Sequence, residues 1–96
     1  MAIQSFADAE TEEFFLTGVR PWYLGWSKVA NVVLRKLDML DYAHRLEDLR
    51  SPPGNRLEAL KGDLTGFHSL RINGQWRVVF RWTDSGPAAV KIVDYH

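Results

Sequence analysis

The spacing of apolar positions changes near the middle of the chain. From residue 28 to residue 43, Val29, Val33, Leu37 and Leu40 recur at intervals of four, four and three, and Ala30 and Leu34 widen the stripe. That interval is close to the helical repeat, so the segment predicts an amphipathic helix with Ser27 as its cap. Lys28, Arg35 and Asp38 fall on the far side and read as a solvated face. Upstream, "DAETEEFF" predicts a shorter helix. Asp8 is its candidate N-cap, the acids of its first turn suit the positive end of the helix dipole, and Gly18 is a plausible stop. "AIQSF", residues 2–6, predicts a short first strand, and "RPWYLGW" a turn between the helices.

After "RSPPGNR", residues 50–56, the period becomes two. Two prolines and a glycine exclude helix and central strand there. "RLEALKG", "FHSLRI", "QWRVVFRW" and "AAVKIVDY" then read as β segments, separated by "DLTG", "NG" and "DSGP". Such short connections make antiparallel pairs. The predicted architecture is α+β, one domain over residues 1–96, with two N-terminal helices packed on one face of a curved, mainly antiparallel sheet.

Register follows from what must be buried. Asn73-Gly74 suggests a two-residue turn, but that would set Arg71 opposite Trp76 and mix charge with apolar residues on both faces. A three-residue loop, Asn73 to Gln75, sets Ile72 opposite Trp76, Leu70 opposite Val78 and His68 opposite Phe80. The buried face normally fixes register, so this loop is expected. A loop of Asp84 to Gly86 likewise sets Val90 opposite Phe80 and Ile92 opposite Val78. The core face becomes Leu70, Ile72, Trp76, Val78, Phe80, Trp82, Val90 and Ile92. His68 falls on it as a hydrogen-bonded core or edge histidine, and Asp94 reaches it at the strand end.

The other face carries Ser69, Arg71, Arg77, Val79, Arg81, Lys91, Val93 and Tyr95. Arg71 and Arg77 stand directly opposed, which costs up to about 1 kcal/mol unless something negative lies between them. Asp63 is a nearby acid. A phosphate is the alternative, because guanidinium forks match its oxygens. A solvated outer face accounts for the same cations.

Composition narrows the classes. The chain has 96 residues, 46% hydrophobic and 12% aromatic, enough for one folded domain. It has no cysteine, which excludes disulfides and Cys-based zinc sites. His44, His68 and His96 have no metal-ligand spacing, so neither metal nor cofactor is expected. "MAIQSFADAE" lacks the basic and apolar regions of a leader, and no apolar run reaches bilayer length; the expectation is a cytoplasmic protein without a membrane partner. The net charge is zero, but it is divided. Residues 1–49 hold five Lys/Arg against eight Asp/Glu, −3, and residues 50–96 hold seven against four, +3. A basic half hints at a polyanionic partner.

"RSPPGNRLEALKGDLTGFHSLRINGQWRVVFRW", followed by "VKIVDYH", resembles the HigB-type toxins of the RelE/ParE superfamily, near the branch that includes the GraT toxin. The resemblance extends over nearly the whole chain. "LKGD", the "SLRIN" to "QWR" run and the final "DYH" are specific together, though each is weak alone. It implies a microbial-RNase-like α+β fold and a ribosome-dependent endoribonuclease that cleaves mRNA without metal, by 2′-OH transesterification. It implies a HigA-like helix-turn-helix antitoxin, the ribosome and mRNA as partners, with operator DNA reached only through the antitoxin.

The resemblance also assigns residues. Lys61 matches the "LKGD" lysine that contacts RNA or the scissile phosphate. Arg77 matches the arginine that stabilises the phosphorane. Asp94, Tyr95 and His96 match the C-terminal triplet that carries much of the activity. Glu58 stands where the characterised enzymes have histidine, and becomes a candidate carboxylate base beside the candidates His96 and Tyr95. Arg71, Arg81, Lys91 and Arg56 are candidate RNA contacts. Other members of the superfamily act by binding DNA gyrase; on that alternative the basic face is a protein-binding surface.

Overall fold

Asp8 starts the first helix as its sequence predicts. In the computed structural model, which describes residues 2–95, its carboxylate accepts the Thr11 amide at 2.7 Å at the head of α1, Ala9–Thr17. Gly18 closes the helix in a left-handed conformation, φ 73°, and its amide donates to the Phe14 carbonyl at 2.8 Å. The second helix, α2, spans Ala30–Tyr42. Ser27 is not its cap. It lies inside a preceding 3-10 turn, Gly25–Val29, and its hydroxyl donates to the Trp22 carbonyl at 3.3 Å. That tighter turn carries Trp26 into the core, 5.3 Å from the Phe14 ring. The predicted stripe is buried at Ala30, Val33, Leu37 and Leu40, with Val29 and Leu34 packed at its margin. Lys28, Arg35 and Asp38 are exposed.

Four strands form one antiparallel sheet in the order β1-β2-β3-β4: Glu58–Ala59, Phe67–Arg71, Trp76–Thr83 and Gly86–Asp94. The β2–β3 register is the expected one, with His68 opposite Phe80, Leu70 opposite Val78 and Arg71 opposite Arg77. Asn73 closes the loop; its side-chain oxygen accepts the Gln75 and Trp76 amides, each at 2.8 Å. Leu70, Ile72, Val78, Phe80, Val90 and Ile92 are buried, and Trp76 and Trp82 pack against them.

Three segments depart from expectation. The segment "RLEALKG" keeps only Glu58 and Ala59 as strand, because the chain turns away at Gly62–Leu64. The β3–β4 loop has two residues, Asp84 and Ser85, with Thr83 paired to Gly86. A bulge between Val79 and Arg81, with Ala89 at φ 53°, absorbs the difference and restores Ile92 to its place opposite Val78. Residues 2–6 do not form a strand. They meet β4 at a single parallel bridge, Phe6 to Val90. At the bulge the Ser5 hydroxyl accepts the Ala89 amide at 2.9 Å, and backbone bonds continue on either side, from the Gln4 amide to the Pro87 carbonyl at 2.8 Å and from the Ala7 amide to the Val90 carbonyl at 2.8 Å.

His44 lies just beyond α2, where its amide donates to Asp48 at 3.0 Å. His68 stacks on Phe80 with ring centroids 6.1 Å apart. Among the described residues its buried Nδ1 has no hydrogen-bond partner, contrary to the hydrogen-bonded histidine expected there. Burial pushes its pKa below the ordinary 6.5. The folded form therefore binds fewer protons than the unfolded form between that lowered value and 6.5. The contribution of His68 to stability should be complete above pH 6.5 and decline as pH falls through the window below it. Urea unfolding of the protein and of His68→Gln across that range checks this; the variant should show the flatter pH profile.

Candidate active site

Strand alternation puts Arg77 on the sheet face away from the helices, between Arg71 on β2 and Val93 on β4. It is only 5% exposed, so this face is not the fully wetted layer that the pattern allows. Ser69 and Val79 beside it are also buried, and Arg71, Lys91 and Val93 are half-buried. A buried guanidinium needs acceptors for its donors and an answer to its charge. Arg77 finds both. Nε donates to Ser69 Oγ at 2.8 Å. Nη2 donates to the Arg56 carbonyl at 2.6 Å and more weakly to the Ser69 carbonyl at 3.5 Å. Nη1 pairs with Glu58 Oε1 at 3.0 Å. The guanidinium also lies 5.1 Å from the centre of the Tyr95 ring, a cation–π distance.

The acid that answers Arg77 is thus Glu58, not Asp63. Glu58 sits on β1 directly across from Ser69, and this register delivers its carboxylate to Arg77. Asp63 is exposed in the Gly62–Leu64 turn. Burial pulls the Arg77 pKa below its ordinary value; Glu58 and then Tyr95 oppose that, while Arg71 and Arg56 add to it. With Nε and Nη2 held by Ser69 and Arg56, Nη1, on the Glu58 side, is the nitrogen left for an anion to reach. The Glu58 side chain is 50% exposed, so it can leave without uncovering a core.

The other candidates are distributed unevenly. Arg56 adopts a left-handed backbone, φ 46°, which aims its carbonyl at Arg77. Lys61 is exposed at the edge of the following turn. Arg81 is exposed and lies over the Phe67 ring, 5.9 Å from its centre, apart from the Arg77 group. Lys91 stands opposite Val79, further along the sheet. Asp94 accepts Gln75 Nε2 at 3.1 Å, opposite Trp76. His96 lies outside the described residues. The structure therefore gathers Arg77, Glu58, Tyr95, Arg71 and the Arg56 backbone. Ser69 completes the group and was not among the candidates, although strand alternation alone places it on this face. Among the described residues, no three His, Asp or Glu converge to hold a metal ion, and no helix is long and apolar enough to cross a membrane.

A family model described as the RelE-like toxin of the type II toxin–antitoxin system HigB matches residues 4–96. Over 96 residues the chain is 42% identical to Toxin HigB-1 of Vibrio cholerae serotype O1, spanning 100% of this chain and 98% of that protein. An uncharacterized protein of Haemophilus influenzae is 37% identical over 59 residues, 62% of this chain and 58% of its own. Among solved structures, the YoeB-YefM complex of Staphylococcus aureus superposes with a TM-score of 0.59 at 22% identity, over 98% of this chain and 94% of that one. The YoeB/ParE toxin of Agrobacterium tumefaciens gives 0.51 at 20% identity, with both chains covered in full, 100%. The solved structures agree in fold: two helices against a four-stranded antiparallel sheet. The protein is a RelE-like toxin of a type II toxin–antitoxin system. Within that class it belongs to the HigB-like family.

The two acids near the site should separate in a stability measurement. Glu58→Gln leaves a buried guanidinium without its counter-charge and should cost about 1–2 kcal/mol, below the 3–5 of a fully buried pair because Glu58 is half in water. Asp63→Asn should stay within about 0.5 kcal/mol of the parent. Urea unfolding at neutral pH reads both.

Proposed function

We propose that the protein is a ribosome-dependent mRNA endoribonuclease that inhibits translation. The observation that carries this reading is the Arg77 guanidinium, held on three sides and open to an anion only at the nitrogen that Glu58 occupies. A phosphodiester fits that position in charge and in hydrogen-bonding geometry. Family membership supports it, since the chain carries Arg77 and the "DYH" ending of its resemblance intact.

In the proposed reaction the RNA 2′-oxygen attacks the adjacent phosphorus. The 2′-O–P bond forms and the P–5′-O bond breaks, leaving a 2′,3′-cyclic phosphate and a 5′-hydroxyl. The base takes the 2′ proton and the acid protonates the departing 5′-oxygen. Arg77, with Arg71 and Lys61, stabilises charge on the phosphoryl oxygens; one such donor is worth about 2.7–4 kcal/mol. Alignment of the 2′-oxygen by the ribosome supplies up to about 7–11 kcal/mol more. The base is either Glu58, freed beside the phosphate once displaced from Nη1, or His96, an imidazole suited to proton transfer near neutral pH. Asp94 orients His96, and Tyr95 packs the guanidinium from the strand end. Arg56, Arg81 and Lys91 hold flanking phosphates. No metal takes part.

The proposed partner that neutralises the toxin is a HigA-like helix-turn-helix antitoxin, through which the pair reaches operator DNA. YoeB of Staphylococcus aureus, which shares the fold, is solved in complex with YefM.

Brief induction in a bacterial host followed by RNA 5′-end mapping tests the reading. New ends should appear at codon boundaries within translated messages. They should fall by about 10²–10³-fold with Arg77→Ala, and Tyr95→Phe, which keeps the ring over the guanidinium, shows whether the hydroxyl takes part. Growth arrest without new ends, unchanged in Arg77→Ala, would overturn the ribonuclease reading in favour of a toxin that binds a protein target.

A further inference from the structure

The segment that carries the Arg56 carbonyl is a single 3-10 turn, Pro53–Asn55, closed by the Arg56 amide on the Pro53 carbonyl at 3.1 Å. Residues 50–54 and Arg56 are exposed. Asn55 between them is fully buried, 0% exposed. Every polar hydrogen and the oxygen of its amide are engaged. Oδ1 accepts Lys36 Nζ, from α2, at 2.5 Å. Nδ2 donates to the Leu49 carbonyl at 3.1 Å and the Ser51 carbonyl at 3.2 Å, and lies 3.6 Å from Met39 Sδ. The next residue is Arg56, a non-glycine in the left-handed region, whose carbonyl takes the Arg77 Nη2 donor at 2.6 Å. A backbone in that region persists only where its surroundings impose it.

We propose that Asn55 is a positioning residue for Arg77: clamped between α2 and the Leu49 and Ser51 carbonyls, it fixes the left-handed Arg56 whose carbonyl orients the guanidinium. Its amide suits the task because it offers one acceptor and two donors in a plane. A carboxylate in its place meets Lys36 but faces two carbonyls with no donor. A leucine of similar size meets none of the three. The Lys36 ammonium, whose pKa burial pulls down with help from Arg35 and Arg71, ties the loop to a helix anchored in the core. The effect on cleavage rests on the ribonuclease reading; the effect on Arg77 does not.

The test has two arms. The first follows hydrogen exchange of the Arg77 Nε–H by NMR in isotope-labelled protein. Asn55→Leu, Asn55→Asp and Lys36→Met should speed it by at least about tenfold, through local opening of the loop. Val33→Ala, which weakens α2 packing away from the loop, should speed it no more than its loss of global stability requires. Unchanged exchange in the Asn55 and Lys36 variants, or an effect in Val33→Ala equal to theirs at equal stability, overturns the proposal. The second arm measures message cleavage in a translating extract. Asn55→Leu should lower the rate by about 10²-fold, as a small misplacement of a catalytic group does, and add nothing in an Arg77→Ala background. Full additivity overturns action through Arg77. If Arg77→Ala cleaves like the parent, the ribonuclease reading fails while the exchange arm still decides for Asn55. If Asn55→Leu does not fold, Lys36→Met, which removes only the Oδ1 partner, carries both arms.

Discussion

A guanidinium taken out of water brings one charge and five donors that the surrounding chain must answer. Arg77 does this in the middle of a sheet, and the irregular features of that face are its answers. Ser69 supplies a hydroxyl where a larger residue would block Nε. Arg56 takes a left-handed backbone, and its carbonyl meets Nη2. β1 pairs for only two residues, enough to present Glu58 to Nη1. β4 ends at Asp94, and Tyr95, the next residue, lies over the group. The result is a cation whose orientation is fixed and whose charge is answered by a residue half in water, an arrangement that favours exchange of one anion for another.

The two faces of the sheet divide the work. One holds the helices and an apolar core that uses both chain halves, from Phe14 and Trp26 to Val90 and Ile92. The other holds the arginines. Zero net charge conceals this separation, since the acidic excess lies in residues 1–49 and the basic excess in residues 50–96. Repulsion between Arg71 and Arg77 is tolerable because Glu58 lies against one of them and the rest of the network is neutral. With Nε and Nη2 already fixed, the proposed exchange of Glu58 for a phosphate moves only the half-exposed Glu58 side chain and leaves the guanidinium in place.

Much of this was legible in the residues. The stripe of α2 and the alternation of β2 and β3 each have a face that must be buried, so period and register follow, down to Arg71 opposite Arg77. What could not be read depends on backbone events with no periodic signal. The bulge at Ala89 shortens the last hairpin loop by one residue without moving the core pairs. The arrest of β1 decides that Glu58, and not Asp63, the acid expected between the arginines, meets Arg77. Asn55 reads as an ordinary turn residue within "PPGN", and only the folded chain buries it. The core histidine was expected to be bonded, but its stacking on Phe80 leaves Nδ1 inside.

The central claim is that a phosphodiester takes the place of Glu58 on Arg77. The most direct measurement is an NMR titration of labelled protein with a 2′-O-methylated, and so uncleavable, trinucleotide, following the Glu58 carboxyl carbon and the Arg77 side-chain nitrogens together. The account predicts that both signals move with one midpoint and that Glu58→Gln tightens binding. Saturable binding that leaves both signals in place, or that is equally strong in Arg77→Ala, would contradict it.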